Sequence, residues 1–365
     1  MSYPITLIPG DGIGPEVTGA TRKCVDALDV DIAWDVHTAG ETAYEQEGEL
    51  LPAHTVEAIK KNKVALKGPI TTPVGKGFRS INVTIRQMFD LFVCLRPVKS
   101  LRIPGVPFHD VDLVVMRENT EDLYSGVEFE AGSDEAEKLI STMNGMSRAQ
   151  IRQGSALSIK PISRYASARI AKFACEYALK NKRKKVTCIH KANIMKCSDG
   201  LFLRTFMDVA KSYEEKIIVK DAIVDNLSMQ LVKRPGHFDI LVLPNLYGDI
   251  VSDLAAGLIG GLGLAAGANI GDEIAVFEPT HGSAPKYAGK NKVNPAATIF
   301  SAVLMLKHLG EYEKAVQLEN ATREVIEEGK SVTYDLKDDR DDPSAVSTDE
   351  MAQAICEKIK SKASA

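Results

Sequence analysis

Asp249 and Asp253 lie four positions apart in the segment Asn245-Leu246-Tyr247-Gly248-Asp249-Ile250-Val251-Ser252-Asp253. The apolar run from Phe238 to Leu243 before them reads as a buried strand, and Leu254 to Leu258 after them reads as a helix. That arrangement puts both carboxylates on one helical face at the end of a strand. Like charges so placed repel unless a cation sits between them. Mg2+ or Mn2+ fits, because a hard divalent ion takes one or two protein carboxylates and completes its shell with water and substrate oxygens. Alone, the pair would be most simply a solvated helix face, but nearby arginines change that reading. Arg86 follows Ser80 and Asn82, Arg96 lies in Leu95-Arg96-Pro97, and Arg117 ends the apolar run Val114-Val115-Met116. Each is placed where the chain leaves a core element. A guanidinium grips a carboxylate with two parallel hydrogen bonds. Singly these would be surface ion-pair partners; together, beside a metal pair, they point to a small substrate bearing several carboxylates.

At 365 residues the chain is too long for one ordinary core and is expected to form two domains. A net charge of −4 gives no electrostatic reason for nucleic acid or an anionic membrane as partner. The six cysteines are dispersed without a C-x-x-C pair, as expected of reduced thiols in a cytoplasmic protein. No apolar stretch approaches a membrane span, and the N-terminus enters a strand directly. The seven histidines show no paired metal-ligand spacing, which argues against a zinc hydrolase.

Strand-like and helical patterns alternate, which predicts sheets covered by helices. Strands are expected at Ile5–Ile8, Val64–Leu66, Leu113–Met116, Val186–Ile189 and Ile274–Phe277. Helices are expected from Pro15 to Leu28, from near Arg164, from Ser198 to Tyr213, from Asn294 to Leu309 and from Tyr312 to Glu328. Ser125 to Ser163 breaks the alternation with scattered glycines and one expected strand at Ala156–Lys160. Gly10-Asp11-Gly12-Ile13-Gly14-Pro15 resembles a dinucleotide fingerprint only superficially. Gly14 comes one residue early, Pro15 takes the expected glycine position, and no acidic residue closes a following strand. A Rossmann fold is rejected.

Several motifs together resemble the β-decarboxylating dehydrogenases, the family of isocitrate, 3-isopropylmalate, homoisocitrate and tartrate dehydrogenases. They are Leu7 to Glu16, Lys67-Gly68-Pro69 with Thr71-Thr72-Pro73, Arg117 to Tyr124, His190 to Lys196, His281 to Pro285 and Val293-Asn294-Pro295. The resemblance runs nearly end to end. It implies an α/β fold with a large cofactor-binding domain (1–95 and 260–365), a small dimer-forming domain (96–124 and 164–259) and a clasp-like insertion (125–163). It also implies a homodimer with shared active sites. Asp249 and Asp253 would hold the metal with Asp225 of the other subunit. Arg86, Arg96 and Arg117 would grip the carboxylates of D-isocitrate, with Ser80 and Asn82 on its γ-carboxylate. Lys191, with Asn193 beside it, would come from the second subunit to deprotonate the hydroxyl, and Tyr124 would protonate the enol carbon. Homoisocitrate and 3-isopropylmalate are the alternative substrates, disfavoured by Ser80 and Asn82. A non-catalytic regulatory subunit is a further alternative, disfavoured because Tyr124, Lys191, Asp225, Asp249 and Asp253 are all kept.

The cofactor surface implied by the resemblance comprises His281, Gly282 and Asn294 around adenosine, completed by Ile13, Lys67, Thr72, Asn82, Glu278, Val293 and Asp335. Lys286, Tyr287, Tyr334 and Arg234 resemble the NADP pattern, which surrounds the 2′-phosphate with cationic and hydroxyl donors. NAD-specific members usually place an aspartate where this chain has Lys286. Against NADP, Asp338 stands where bacterial NADP enzymes often carry an arginine, with Lys337 and Arg340 near enough to offset it. NADP is favoured over NAD. A phosphate on Ser80 would bring about −1.5 to −2 charges to the place where a substrate carboxylate binds. Ser80→Glu is therefore expected to raise the isocitrate KM sharply in initial-rate assays, and an unchanged KM would remove this role.

Overall fold

The computed structural model describes residues 2–71 and 80–363. Ile240-Leu241-Val242-Leu243 shows why a sheet forms. It is a continuous apolar run, wholly buried, as a strand covered on both faces must be. Twelve strands occur among the described residues. They are β1 (Tyr3–Ile8), β2 (Ile32–Val36), β3 (Val64–Lys67), β4 (Val93–Lys99), β5 (Asp112–Glu118), β6 (Glu128–Phe129), β7 (Leu157–Ser158), β8 (Lys185–His190), β9 (Ile218–Ile223), β10 (Ile240–Leu243), β11 (Ala266–Ile270) and β12 (Ala275–Pro279). Ten of them make one sheet in the order β2-β1-β3-β12-β11-β4-β5-β10-β8-β9.

Both wings of that sheet are parallel: β2-β1-β3-β12 on one side and β5-β10-β8-β9 on the other. Between them β12-β11-β4-β5 is antiparallel. The rungs at this seam align the residues that matter. Gly267 pairs with Glu278, Ala268 with Leu95, and Leu95 with Met116, next to Arg117. One hydrophobic core runs through the seam, with Leu66, Leu95, Val115, Val242 and Phe277 all in it.

Helices pack on both faces. The helix expected from Pro15 runs Gly14–Asp26, with Pro15 at its first turn where no amide partner is needed. Arg164–Lys180, Ser198–Ala210, Ala296–His308 and Tyr312–Glu328 lie within a few residues of expectation. Ser163 caps the first of these, accepting from Ala166 N at 3.1 Å. In the irregular segment β6 and β7 pair as a small antiparallel ribbon around the helix Asp134–Met146, so the strand expected at Ala156–Lys160 shortens to Leu157–Ser158. Among the described residues no helix is long and apolar enough to cross a membrane, and all six cysteines are free thiols.

The Gly10 to Pro15 motif is a knot between loops. Asp11 Oδ1 accepts from Thr42 N (2.9 Å) and Thr42 Oγ1 (2.7 Å), while Oδ2 accepts from Glu41 N (3.0 Å) and Thr71 N (2.8 Å). Ile13 N donates to Ser283 O at 2.9 Å. Gly12 has φ +59, and a Cβ there would overlap the Ser283 carbonyl. Only glycine tolerates both conditions. Gly12→Ala is expected to destabilise the fold by about 2 kcal/mol or more. A urea midpoint unchanged from wild type, at equal m-value, would show that the knot relaxes without cost.

Candidate active site

The helix Asn245–Leu258 starts directly after β10 and packs on the end of β5. Gly248 permits this approach, since a Cβ there would lie 2.5 Å from the Cβ of Arg117. Asn245 fastens the helix start, accepting from Arg117 Nε at 2.8 Å and donating to Glu121 O at 3.0 Å. Arg117 is 1% exposed, and its Nη1 pairs with Asp249. The other Asp249 oxygen accepts from the Tyr124 hydroxyl, whose ring centre lies 4.6 Å from the Arg117 guanidinium carbon. Arg96, from β4, donates to Ser252 and sits 3.3 Å from Asp253 and 3.8 Å from Asp249. Arg96, Arg117, Tyr124, Asp249 and Asp253 thus form one cluster.

Arg86 belongs to the short helix Ile81–Met88 and reaches Glu278 Oε1 at 3.0 Å. Glu278 also pairs with the buried Lys67 at 2.6 Å and accepts from Asn269 Nδ2 at 2.7 Å. Ser80 occupies the N-cap of that helix, yet its hydroxyl makes no cap hydrogen bond. Lys67, Asn82, Arg86, Arg96, Glu278 and His281 line a cleft.

Charge states follow from this packing. Burial alone would push the Asp249 carboxyl up. The Arg117 guanidinium, the Tyr124 hydroxyl, Arg96 and Arg86 outweigh it and hold the group below the usual carboxylate range. For Asp253 burial raises the group, Arg96 pulls it back, and the like charge of Asp249 leaves it raised. Tyr124 is raised by burial and by donating to Asp249, so it keeps its proton at neutral pH. Burial opposes the charge of Glu278 too, but Lys67 and Arg86 hold it far below the ordinary range. Burial lowers His281 below its ordinary value. With Nδ1 3.0 Å from Gly282 O, the proton belongs on Nδ1, which leaves Nε2 an acceptor.

Buried polar atoms without a hydrogen-bond partner among the described residues include Arg86 Nε, Asn82 Oδ1 and His281 Nε2 on residues of the cleft, and Arg117 Nη2 in the neighbouring cluster. Two idle guanidinium donors suit substrate carboxylates. Asp249 and Asp253 share Arg96 and are hard oxygen donors, a set that fits Mg2+ or Mn2+. No three-ligand group of His, Cys, Asp and Glu forms among the described residues. Asp225 lies elsewhere, its Oδ1 2.6 Å from Lys191 Nζ, so those two stand as a second pair, and Asn193 beside them is exposed.

Ile13, Val17 and Val293 form a small apolar cluster with Ala284 and Tyr287 against it. Asn294 is largely committed within the chain, donating to Asp335 at 3.0 Å and accepting from Ala296 N at 2.9 Å. Tyr287 and Tyr334 face each other with ring centres 6.3 Å apart, ringed by lysine ammonium groups. Lys286 and Lys290 lie 5.0 and 5.8 Å from the Tyr287 ring, and Lys292 lies 4.7 Å from that of Tyr334. Tyr334, Lys286, Lys292 and Arg340 lower the Tyr287 hydroxyl, while burial raises Tyr334 to about 12. Lys290 and Lys292 were not expected at this place, although the run Lys286 to Lys292 carries the signal. The Lys337 ammonium donates to Gly329 O (2.8 Å) and Lys330 O (3.3 Å), and Arg340 acts on both tyrosines. Arg234 ends the helix Val224–Lys233, exposed, and is not brought to the tyrosines within this chain. Thr72 lies outside the described residues.

Comparison with known proteins agrees with this geometry. Residues 4–355 match the family described as isocitrate/isopropylmalate dehydrogenase. The chain is 44% identical to a protein of Archaeoglobus fulgidus named isocitrate dehydrogenase (NADP), over 98% of this chain and 93% of that one. It is 45% identical to a mitochondrial protein of Dictyostelium discoideum whose name makes it a regulatory subunit of isocitrate dehydrogenase (NAD), over 97% and 92%. The crystal structure of isocitrate dehydrogenase from Methylococcus capsulatus matches with a TM-score of 0.89 and 47% identity, over 98% of this chain and 99% of that one. With the arginine and carboxylate cluster in place and a match along nearly its whole length, the chain belongs to the isocitrate/isopropylmalate dehydrogenase family.

Proposed function

We infer that this chain is an isocitrate dehydrogenase, oxidising D-isocitrate to 2-oxoglutarate and CO2 with hydride transfer to NADP. The carrying observation is the pair of idle guanidinium donors, Arg86 Nε and Arg117 Nη2, beside Asp249, Asp253 and a protonated Tyr124. Asp249 and Asp253, with Asp225 of a second subunit, would hold Mg2+ or Mn2+, which when bound would polarise the substrate hydroxyl and then the ketone. Arg86, Arg96 and Arg117 orient the carboxylates, and Ser80 and Asn82 take the γ-carboxylate. The Ser80 hydroxyl and the Asn82 amide N–H are donors, which suit a carboxylate and would be left unpaired by an isopropyl substituent. Lys191 of the second subunit takes the hydroxyl proton as hydride leaves, and Tyr124 delivers a proton to the enol carbon after CO2 departs.

The wing of the sheet built from both chain ends serves the coenzyme (1–95 and 260–365), and the other wing serves dimer formation (96–124 and 164–259). The segment 125–163 would clasp the second subunit. Support for a homodimer comes from exposed apolar side chains on the second wing: Ile218 (54%), Met229 (46%), Val232 (53%) and Ile250 (60%). The lysines around Tyr287 and Tyr334 suit a 2′-phosphate dianion and favour NADP over NAD. A regulatory role is the second reading, favoured by the Dictyostelium relative. It is disfavoured by the complete set of catalytic residues.

Initial rates of the purified chain with isocitrate and Mg2+, using NADP and NAD in turn and 3-isopropylmalate as control, test the reading. A kcat/KM clearly higher with isocitrate and NADP is expected. No turnover of any malate-type substrate would favour the regulatory role, and a preference for NAD would overturn the coenzyme assignment alone. Tyr124→Phe removes the proton donor but keeps the ring under Arg117. Its kcat should fall by about 10²–10⁴-fold with little change in KM. A variant within a fewfold of wild type would show that another group supplies the proton.

A further inference from the structure

Lys160 leaves the ribbon strand β7 and ends in the interior, its side chain 14% exposed, between two aspartates that are 0% exposed. Its Nζ lies 2.7 Å from Asp122 Oδ1 and 3.6 Å from Asp199 Oδ1, and 4.8 Å from the centre of the Tyr247 ring. The buried charge of Asp199 is answered by this ammonium, Oδ1 lying 3.6 Å from it, and the neutral Tyr247 hydroxyl is the other side-chain group interacting with Asp199.

Each carboxylate has a second task. Asp199 Oδ2 accepts from the backbone N–H of Lys191 at 2.7 Å. Asp122 Oδ2 accepts from the backbone N–H of Leu246 at 2.9 Å, in the first turn of the helix that carries Asp249 and Asp253. Asp122 opens the short helical turn that presents Tyr124, and its backbone is held at φ 70, a conformation that costs a non-glycine residue energy. One ammonium therefore ties together three segments: those bearing Tyr124, Lys191 and the aspartate pair.

We propose that Lys160 is a positioning residue for the reaction, setting the Lys191 segment against the Tyr124 turn and the Asp249 helix. The inference rests on the isocitrate dehydrogenase reading. In the homodimer of that reading Tyr124 and Asp249 act in one site and Lys191 in the other, so Lys160 couples the geometry of the two. Without its charge, two fully buried carboxylates are left with neutral donors alone, a costly state that is relieved by separation, water entry or protonation. Each of these moves a carboxylate that orients a catalytic segment. A displacement near 1 Å can cost about 10²-fold in rate.

The test compares the wild-type homodimer with Lys160→Met, measuring kcat and KM for isocitrate and the isotope effect with isocitrate deuterated at C2. An inactive wild type overturns this inference together with the reading it rests on. With an active wild type, the variant's kcat is expected to fall about tenfold or more, while KM stays within about threefold because the arginines keep their contacts. The isotope effect should rise as hydride transfer, for which Lys191 takes the hydroxyl proton, becomes more rate-limiting. A folded variant with unchanged kcat and isotope effect, whatever its melting temperature, overturns the inference alone. If Lys160→Met does not fold, Asp199→Asn carries the same comparison. It keeps a carbonyl acceptor for the Lys191 N–H and removes the charge that Lys160 answers, and here too an unchanged kcat overturns the proposal.

Discussion

The site depends on keeping the charge of Arg117 inside the protein. Burial disfavours that charge more than any other influence on it. The surroundings answer with Asp249 on one nitrogen, the Asn245 amide on another and the Tyr124 ring across the guanidinium. These partners come from separate stretches of chain, so satisfying one cation fixes the end of β5, the start of the helix Asn245–Leu258 and the turn at Tyr124. Gly248 is the steric counterpart, admitting the helix to van der Waals contact with the arginine stem.

A second buried network serves the other side of the cleft. Glu278 is shared by Lys67, Arg86 and Asn269, which belong to β3, the helix Ile81–Met88 and β11. Arg86 therefore touches both the cleft and the wing expected to hold the coenzyme. The antiparallel seam makes this compact, because it lets two parallel wings of opposite direction present their site residues along one transverse row.

Much of this was legible in the sequence where local pattern and burial agree. β10 and the helix after it could be read from Phe238 onward because the run is wholly apolar, and Asp249 and Asp253 follow at helical spacing. The helix Tyr312–Glu328 has a clear 3.6-residue period. β11 was not legible. Ala266-Gly267-Ala268-Asn269-Ile270 has one strand former, Ile270, at its end, and pairing on both sides imposes its conformation. The edge strands β2 and β9 mix exposed and half-buried positions without a clean alternation. The roles of Lys160, Asp199 and Asp11 were also invisible, since each acts through partners distant in the chain. Glu278 carried a cofactor expectation from resemblance, but nothing local showed that it would lie between a lysine and an arginine.

The loop knot at Asp11 and Gly12 bears on the order in which the molecule is made. Ile13 N closes on Ser283 O, and β1 reaches its place only beside β3, which needs β12 on its other flank. These contacts span most of the chain, and such closures are slow because loop entropy is lost before any contact rewards it. A ribosome delivers residues from the N-terminus, so the first turn to emerge waits for one of the last segments before it can lock. The middle wing, whose strands β5, β8, β9 and β10 all leave the ribosome before that segment, is free to assemble in the meantime. The newest part of the chain thus completes the oldest.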